Sequence, residues 1–534
     1  MSKKELYLKA QSAKLTAQII DRRQFVMGAL AAGVALPSAL SMADRAMAAT
    51  PKKGGNFRQG YGYGSTTDSL DPGTAENGFM QATVYSLGNH LTEVDNHGNL
   101  VPDLAESFEA SDDAVTWRFK LRNGVEFHNG KSVTADDVIA SINHHRGESK
   151  SAAAGLVKQV KNLSADGDTV VIELESPNAG FPFIMSDYHL MIMPSADGKV
   201  DAVSGIGTGG YVLENFEPGV RLQATRNPNY YKENRAHFDS IETLSLLDAT
   251  ARQNAILTGE VDAANRIDPK TVALMARAPV LEILETTGTL HYTFPMRLDV
   301  APFDNFDLRM ALKLSVNRQE MLDKILLGHG ALGNDHPIST ANQFHASDLA
   351  QREYDPDKAA EHYKKSGHSG PIQLSASDAA FAGAVDAAQL IAASAKGAGI
   401  DIEIVREPKD GYWSNVWNKK GWCACYWGGR PTEDWMFASA YTDDTEWNDT
   451  AWKTTDDAVK FNKIVREARA ELDDNKRRTL YSEAQTLIHN DGGALVPMFA
   501  NHIMALNKKV AHDEAVAGNW ENDGNKSHER WWFA

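Results

Sequence analysis

The stretch at residues 420–449 constrains the fold more than any other part of the chain. Residues 422–427 (Trp-Cys-Ala-Cys-Tyr-Trp) are dense in aromatic and small side chains, which predicts a short buried strand. Gly428 and Gly429 then break the strand, and Thr432 is placed to cap a helix with two carboxylates in its first turn. A strand that ends at glycines before a helix N-terminus commonly forms the wall of a ligand pocket.

This wall offers aromatic faces, one fixed cation and one fixed anion. The residues concerned are Tyr426, Trp427, Trp435, Arg430 and Asp434. For any single one of them, a second interpretation stays open, in which the aromatics only fill a core and the acids only cap a helix. Several tryptophans and opposite charges crowded around a glycine break favour a site that holds an amphipathic solute.

Residues 1–48 have the features of an export signal. Arg22 and Arg23 precede a modest apolar run at residues 28–40, and Ala46-Met47-Ala48 offers small residues at a cleavage position. The paired arginines resemble the twin-arginine signal. The apolar run is too short to span a bilayer, and no cysteine follows it, so the sequence predicts an exported protein without a lipid anchor.

Length and charge narrow the class of protein. A chain of 534 residues is long enough for at least two domains with large cores. The formal net charge is −17, and the predicted leader carries seven basic and three acidic residues, so its removal would leave −21. Such a charge disfavours nucleic acids and anionic membrane surfaces as partners. The only two cysteines, Cys423 and Cys425, are predicted to be buried thiols, because a disulfide at that spacing is strained.

Strand and helix signals alternate along the chain, which is typical of an α/β fold. Residues 116–122 have a clean period of two, and the Asn-Gly pairs at 123–124 and 129–130 predict a hairpin with residues 125–128. Thr134 is placed to cap a helix that begins with two acids. Residues 455–491 predict two long amphipathic helices with a break near 473–475.

The ordered string of motifs up to residue 138 resembles the solute-binding proteins of peptide-type ABC importers. The segments that carry this resemblance are 69–72 (Ser-Leu-Asp-Pro), 100–105 (Leu-Val-Pro-Asp-Leu-Ala), 116–130 and 133–138. It continues at 207–211, where Gly210 replaces the family's proline, and at 226–231, 257–262, 302–305, 307–312 and 316–318. The resemblance therefore covers nearly the whole chain after the leader. Members of this family take oligopeptides, dipeptides, nickel chelates, opines or oligosaccharides.

The resemblance implies a two-lobed α/β clamshell, the periplasmic-binding-protein fold, with an extra subdomain in the first lobe. Lobe I would comprise residues 50–295 and a C-terminal return at 500–534, with the subdomain at about 82–204. Lobe II would comprise residues 296–499. The chain would cross between the lobes near residues 294–296 and 496–499, where prolines interrupt apolar runs.

The resemblance also implies a ligand-binding site. In dipeptide-binding relatives an aspartate of the strand-to-helix stretch pairs with the ligand's amino group, and Asp434 takes that place here. Arg430 is a candidate for a ligand carboxylate or phosphate, because its planar fork binds such groups with two hydrogen bonds, although a salt bridge to Glu433 or Asp434 is an equal alternative. Further candidates for the cleft are Gly207, Thr208, Gly209, Met296, Arg297, Tyr61 and Tyr63.

Catalytic patterns were not found. The sequence has no Gly-x-Ser-x-Gly, His-Glu-x-x-His or phosphate-loop motif, and His144 and His145 would point about 100° apart on a helix, which does not suit a shared metal. We therefore expect a non-enzymatic, monomeric periplasmic protein without a cofactor. It would capture a small amine-bearing solute, such as a dipeptide, oligopeptide or amino-acid conjugate, and deliver it to a membrane permease. Two alternatives stay open: the same fold binding an opine, sugar conjugate or metal chelate, and an exported peptidase-like enzyme.

Overall fold

The computed structural model describes residues 22–32, 51–408, 412–428, 430 and 432–534. The predicted cleavage position at residues 46–48 and Gly429 of the predicted break lie outside the described residues. Helix α1 (Arg22–Ala31) falls within the predicted leader, and its Phe25 side chain is buried. None of the helices in these ranges is long and apolar enough to cross a membrane.

Strands and helices alternate throughout. The strands are β1 (Asn56–Tyr61), β2 (Thr92–Val94), β3 (Leu100–Pro102), β4 (Ala105–Ala110), β5 (Thr116–Leu121), β6 (Val160–Asp166), β7 (Thr169–Leu174), β8 (Ser195–Ala196), β9 (Lys199–Val200), β10 (Tyr211–Glu217), β11 (Arg221–Arg226), β12 (Ser240–Ser245), β13 (Ala263–Ala264), β14 (Leu281–Thr293), β15 (Gly330–Leu332), β16 (Ile372–Ala376), β17 (Ile402–Arg406), β18 (Cys425–Trp427), β19 (Met498–Asn507), β20 (Val510–Ala511) and β21 (Trp532–Phe533). The remaining helices are α2 (Gly78–Leu87), α3 (Ala135–His144), α4 (Ala154–Val157), α5 (Phe181–Ile184), α6 (Ala249–Thr258), α7 (Pro269–Met275), α8 (Phe306–Leu314), α9 (Arg318–Ile325), α10 (Pro356–Ser366), α11 (Ala384–Ala395), α12 (Tyr412–Asn415), α13 (Glu433–Ala440), α14 (Asp456–Ala470), α15 (Asp474–Asn490), α16 (Glu521–Asn525) and α17 (Ser527–Arg530). The α/β class expected from the sequence is confirmed.

One large mixed sheet runs through the molecule in the order β10-β11-β12-β1-β13-β19-β14-β18, and β15 also pairs with β19. Strand β1 is parallel to β12 and β13, and the other neighbours are antiparallel. The longest pairing joins β14 to β19, from Leu281 opposite Asn507 to Tyr292 opposite Met498. Strands that are distant in sequence therefore share one hydrogen-bonded surface.

Separate cores divide the described chain. One core contains apolar side chains from residues 57–263, and Met504, Leu506, Val510 and Trp531 from the C-terminal end pack into it. A second core, from residues 91–192, lies with the four-stranded antiparallel sheet β4-β5-β7-β6. The side chains of two further cores come mainly from residues 294–499. The C-terminal segment thus packs with the first half of the chain rather than with the residues before it.

Local capping signals account for several helix starts. Thr134 and Asp137 form the reciprocal capping box at the start of α3, as the sequence predicts. Helices α14 and α15 confirm the predicted helix pair, and Asp473 caps the second one.

The predicted hairpin is wrong: β5 pairs with β4 and β7 instead. The segment after it is held by its own turns, with Phe127 N–H donating to the Lys131 carbonyl at 2.8 Å.

A buried carboxylate ties α9 to the chain that precedes β19. Asp335 has no exposed side-chain surface and lies 2.7 Å from Arg318 and 2.8 Å from Arg352. Its Oδ1 also accepts a hydrogen bond from the Val496 backbone N–H at 3.1 Å. Although burial opposes ionisation, the neighbouring guanidinium groups lower the pKa of Asp335 from its ordinary 3.8 to about 2.

Replacing Asp335 by asparagine should lower the free energy of unfolding by about 3–5 kcal/mol at pH 7, because two buried cations lose their counter-ion. Since the folded pKa is depressed, the stabilisation is present above pH 4 and is lost as pH falls from about 4 to about 2. Urea denaturation between pH 2 and pH 7 measures both effects. The control is Glu320→Gln, which removes an exposed pair with Lys324 and should cost under about 1 kcal/mol. Equal losses in the two variants would contradict this account.

Candidate functional site

Strand β18 and helix α13 form the predicted strand-to-helix wall. Residues Cys425–Trp427 pair antiparallel with the end of β14, and isolated bridges hold Trp422 and Cys423 to Met296 and Ser375. The predicted strand is therefore confirmed in its second half, with single bridges in its first half. Thr432 caps α13 as predicted, since its hydroxyl accepts a hydrogen bond from the Trp435 N–H at 3.2 Å.

A cavity of about 640 Å³ lies beside this wall. Residues between 152 and 189 line one side, residues between 430 and 481 together with 343–344 line the other, and Trp520 completes it. The charged residues that line it are Arg430, Arg469, Arg477, Asp187, Glu433 and Asp434. The aromatic residues are Phe183, Tyr188, Phe344, Trp435, Trp447, Tyr481 and Trp520. The sequence-predicted residues Arg430, Asp434 and Trp435 therefore meet at one cavity.

Asp434 is held by a cation of the protein itself. Both of its carboxylate oxygens accept from Arg469 Nε, at 3.0 and 3.1 Å. Burial raises the pKa of Asp434, and the Arg469 guanidinium opposes that rise. The Arg469 carbonyl in turn accepts a hydrogen bond from the Ala179 N–H at 2.6 Å, which joins the two sides of the cavity. An ammonium group could reach the Asp434 carboxylate only by sharing it with Arg469 or displacing it.

The other two carboxylates that line the cavity also have protein partners. Asp187 Oδ1 accepts from His189 Nδ1 at 2.6 Å and from the His189 backbone N–H at 3.0 Å. Glu433 accepts from the Phe344 N–H at 2.7 Å, and burial raises its pKa to about 7. The site therefore offers engaged or partly protonated carboxyl groups rather than bare anions.

Two of the contacts of Arg430 are with the neutral side chains of Ser439 and Trp427. Its Nε donates to Ser439 Oγ at 3.3 Å, and its guanidinium carbon lies 5.9 Å from the centre of the Trp427 ring. Glu433 and Asp434, the carboxyl groups of the alternative salt bridge, take the partners given above, the Phe344 N–H and Arg469. Arg430 also acts on Tyr188, which lines the opposite side of the cavity. Burial raises the pKa of Tyr188, and the positive charge of Arg430 partly opposes that rise.

A row of aromatic rings leads to Arg430. The ring centres are 6.0 Å apart between Trp413 and Trp417, and 6.1 Å apart between Trp417 and Trp427. Asp449 fixes two of these rings, because its Oδ2 accepts from Trp417 Nε1 at 3.0 Å and from Trp427 Nε1 at 3.2 Å. Burial raises the pKa of Asp449 to about 6. Tyr426 packs edge-on against Trp413 and is 43% exposed, on the far side of the strand from Trp427.

The predicted glycine segment lies elsewhere. Gly207 and Gly209 pack on the end of α2, where a Cβ at either position would collide with the backbone of Leu87. Thr208 is buried, and its Oγ1 lies 3.1 Å from the Asn89 side-chain amide. The two glycines are therefore required for close backbone packing within the first half of the chain, and none of the three residues lines the cavity beside β18.

The remaining candidates also have contacts away from the cavity. Met296 is fully buried in a core, and Arg297 forms an ion pair of 2.7 Å with Asp299 at a separate surface pocket. Tyr61 is buried, and its hydroxyl donates to Asn525 Oδ1 at 3.0 Å. The Tyr63 hydroxyl donates to Glu521 Oε1 at 3.3 Å, and the Arg266 guanidinium lies over its ring.

Other sequence expectations concern metals and thiols. Cys423 and Cys425 are free and buried, as predicted, and burial raises the pKa of both thiols. His144 Nε2 lies 2.9 Å from Asp71 Oδ1, whereas His145 Nδ1 lies 2.7 Å from Ser151 Oγ. Within the described ranges, no group of three or more His, Cys, Asp or Glu side chains is placed to hold a metal ion.

Sequence reasoning missed the wall formed by residues 152–189 and the arginines of α14 and α15. Asp187, Tyr188 and His189 carry no motif, and Arg469 and Arg477 resemble ordinary solvated helix charges in an amphipathic pattern. Only the fold brings these residues to the same cavity. For Arg469 the available signal was weak, since it is a basic residue in the last turn of a long helix.

Comparison with known proteins identifies relatives of the chain. Residues 99–449 match the family model described as "Bacterial extracellular solute-binding proteins, family 5 Middle". The chain is 28% identical over 312 residues to the glutathione-binding protein GsiB of Escherichia coli O6:K15:H31, and 29% identical over the same length to that of Salmonella typhimurium. These alignments cover 57% of this chain and 60% of each relative, so the chain spans about three fifths of their length.

Solved structures share the fold. HbpA2 from Haemophilus parasuis superposes with a TM-score of 0.77 at 19% identity, covering 88% of this chain and 99% of that protein. The periplasmic binding protein DppA from Helicobacter pylori, in complex with the peptide STSA, gives a TM-score of 0.70 at 18% identity, covering 90% and 98%. The two-lobed α/β fold expected from the sequence is confirmed by these likenesses.

Replacing Asp434 by asparagine should lower the free energy of unfolding by about 1–3 kcal/mol, because Arg469 would remain largely buried without its counter-ion. Urea denaturation at pH 7 measures this loss. Asp443→Asn is a matched control, since Asp443 forms a solvent-exposed pair with Arg466, which lies on the same helix as Arg469, and should cost under about 1 kcal/mol. If Asp434→Asn kept full stability but lost affinity for amine-bearing solutes, Asp434 would be a ligand group rather than a partner of Arg469.

Proposed function

The chain belongs to the bacterial extracellular solute-binding proteins of family 5, and from this premise we propose that it is the solute-capturing component of an ABC importer. It binds a small peptide-like solute, such as a dipeptide, oligopeptide or amino-acid conjugate, and delivers it to a membrane permease. The protein acts as a monomer in the periplasm after export through the twin-arginine signal at residues 1–48, without a lipid anchor. No catalytic step is part of this function.

The cavity between residues 152–189 and residues 430–481 is the observation that carries the proposal. Its volume of about 640 Å³ falls within the range of about 300–1,000 Å³ that is typical of small-molecule sites. Aromatic rings line it beside a few charged groups, which suits a solute with both apolar and polar parts. Its two sides come from distant parts of the chain, as a site that closes around its ligand requires.

The division into lobes is part of the proposal. Lobe I comprises residues 50–295 and 500–534, with a subdomain at about 82–204, and lobe II comprises residues 296–499. The separate cores support these boundaries, because the C-terminal side chains pack with residues 57–263. A solute that touches both sides of the cavity stabilises the closed form over the open form by its difference in affinity.

The peptide-like class of solute draws support from the relatives. GsiB is named for binding glutathione, and the DppA structure holds the peptide STSA. The amine-binding role that the resemblance gives to Asp434 would require an ammonium group to compete with Arg469. Apart from Asp434, the cavity has hydrogen-bonding and aromatic groups on both sides, which suit a peptide-like solute.

Substitutions on the two sides of the cavity should weaken the same ligand. We expect Tyr188→Leu and Trp435→Leu each to weaken binding of glutathione or Ala-Phe by about 10-fold or more, because buried aromatic contacts dominate such sites. Isothermal titration calorimetry measures the affinities. Trp413→Leu is the control, since that ring is 40% exposed and lies outside the lining of the cavity.

The outcomes separate the proposal from its alternatives. Loss of affinity in only one of the two cavity variants would contradict a site shared by both sides. Binding of an opine, a sugar conjugate or a metal chelate in place of both peptide probes would keep the solute-binding role and change the solute class. Hydrolysis of Ala-Phe during the titration, detected by free phenylalanine, would favour the peptidase alternative.

A further inference from the structure

Four consecutive residues near the C-terminus form a left-handed turn. Asn522, Asp523, Gly524 and Asn525 have φ angles of 48°, 58°, 69° and 59°. Asparagine, aspartate and glycine tolerate this conformation best, but even these residue types usually adopt it singly, because a left-handed run is strained. All four residues are buried. Such a conformation persists only where the surrounding structure holds it, and backbone outliers of this kind cluster at binding sites.

Buried hydrogen bonds hold the left-handed turn. The Asp523 carboxylate accepts from the Trp531 indole N–H at 3.1 Å, close to the C-terminus. The Asn525 side chain accepts from the Tyr61 hydroxyl of β1 at 3.0 Å and donates to the Gln81 side chain of α2 at 2.7 Å. The turn is therefore fixed to the first half of the chain as well as to the end of the chain.

The segment in front of the left-handed turn brings Trp520 to the cavity. After Trp520, the Glu521 carboxylate accepts from the Tyr63 hydroxyl at 3.3 Å. Before it, Gly518 lies so close to β14 that a Cβ there would be 2.3 Å from the Thr287 carbonyl oxygen. The chain is thus anchored on both sides of Trp520, which gives its ring a fixed place at the cavity.

Tryptophans from both sides line this cavity. Trp520 lies beside Tyr188, with ring centres 6.5 Å apart and ring planes at 85°. Trp435 and Trp447 line the other side, and Trp447 is 52% exposed. Among the described residues, no acceptor takes the indole N–H of these three tryptophans, whereas the indole of Trp427 donates to a carboxylate. The three tryptophans therefore keep ring surface and a hydrogen-bond donor for a solute.

The charges at the cavity favour an uncharged ring over a cation as the partner of these tryptophans. Indole faces attract both aromatic rings and cations. The guanidinium groups of Arg469 and Arg477 line the same cavity and would repel a cation. The Asp434 carboxylate, which could attract one, is already paired with Arg469. An apolar planar ring is not subject to this repulsion.

We propose that the C-terminal segment selects the solute: the left-handed turn holds Trp520 in place, and Trp520 together with Trp435 and Trp447 binds an aromatic ring of the solute. This inference rests on the proposed function and narrows it to peptide-like solutes with an aromatic side chain. The family model matches residues 99–449, so Trp520 and the left-handed turn lie outside the matched part of the chain. Trp520 is then a specificity residue of this chain, and the turn positions it.

Two probes that differ in the planarity of one ring test the role of Trp520: Ala-Phe and Ala-cyclohexylalanine. With the wild-type protein, isothermal titration calorimetry should show Ala-Phe bound about 3–10-fold more tightly, because ring–ring contacts add to the burial of apolar area. In Trp520→Leu this preference should fall below about 2-fold, and Trp520→Phe should keep part of it. Trp413→Leu is the control with the wild-type preference, since that ring is 40% exposed and lies outside the lining of the cavity.

Gly524→Ala tests the left-handed turn. Gly524 has a φ of 69°, and a Cβ there would lie 2.9 Å from Oδ1 of Asn519, the neighbour of Trp520. We expect the preference for Ala-Phe to fall below about 2-fold, because alanine strains the turn that holds Trp520. Gly367→Ala is the matched control and should keep the preference. Gly367 has a φ of 67° at the end of α10, where a Cβ would meet no atom within 4 Å.

The outcomes separate this inference from the proposed function. If the wild-type protein binds both probes equally, or if Trp520→Leu keeps the full preference, the ring-binding role is wrong and solute capture stands. The same conclusion follows if glutathione binds and Ala-Phe does not. If glutathione and both probes all fail to bind, the peptide-like solute class falls, and the ring-binding role falls with it. Full preference in Gly524→Ala would overturn the positioning role of the turn.

Unfolding midpoints check that each variant is folded. Trp520→Phe, the milder change, carries the test if Trp520→Leu does not fold. A purely structural role of the C-terminal segment would lower the midpoints of the Trp520 and Gly524 variants and leave the preference between the two probes unchanged. That result would contradict the inference.

Discussion

The pairing of β14 with β19 is the constraint on which the rest of the structure depends. Beyond the ends of these strands, Phe294 N–H donates to the Leu495 carbonyl at 2.8 Å and Met296 N–H donates to the Gly493 carbonyl at 2.9 Å. The two segments that continue from β14 and lead into β19, residues 294–296 and 493–495, therefore lie side by side. Strand β18 adds to the end of β14, which fixes the strand-to-helix wall relative to the sheet. In the two-lobed division proposed above, a change in the separation of the cavity's two sides bends the chain near this shared pair of strands.

Within that frame, the cavity is built from contacts between residues far apart in sequence. Arg469 shows this best, because its side chain holds Asp434 while its carbonyl accepts from Ala179 on the opposite side. Arg469 thus holds a side chain in the first turn of α13 and also links the two sides of the cavity. The carboxylate that the family resemblance assigns to the ligand, Asp434, is therefore already paired with Arg469. Arg430, which contacts Ser439 and the Trp427 ring, lies beside this pair at the same cavity.

The sequence predicted those features that depend on neighbouring residues. The caps at Thr134 and Thr432 follow from a hydroxyl three residues before a backbone N–H, and the two-lobed fold followed from an ordered string of family motifs. It could not show that Arg469 reaches Asp434, since that contact depends on how α14 packs beside α13. The packing of the glycines at 207 and 209 against α2 could not be read from the sequence for a related reason, because small residues suit both a ligand and a closely packed helix end.

The most direct test of the central claim is native mass spectrometry of the mature protein purified without refolding, followed by identification of the molecule it releases on denaturation. The account predicts a small, peptide-like compound in a one-to-one complex with the protein. A released sugar, opine or metal chelate would contradict the peptide-like solute class. A protein that releases no solute and gains no stability from any peptide-like acid would contradict solute capture in this cavity.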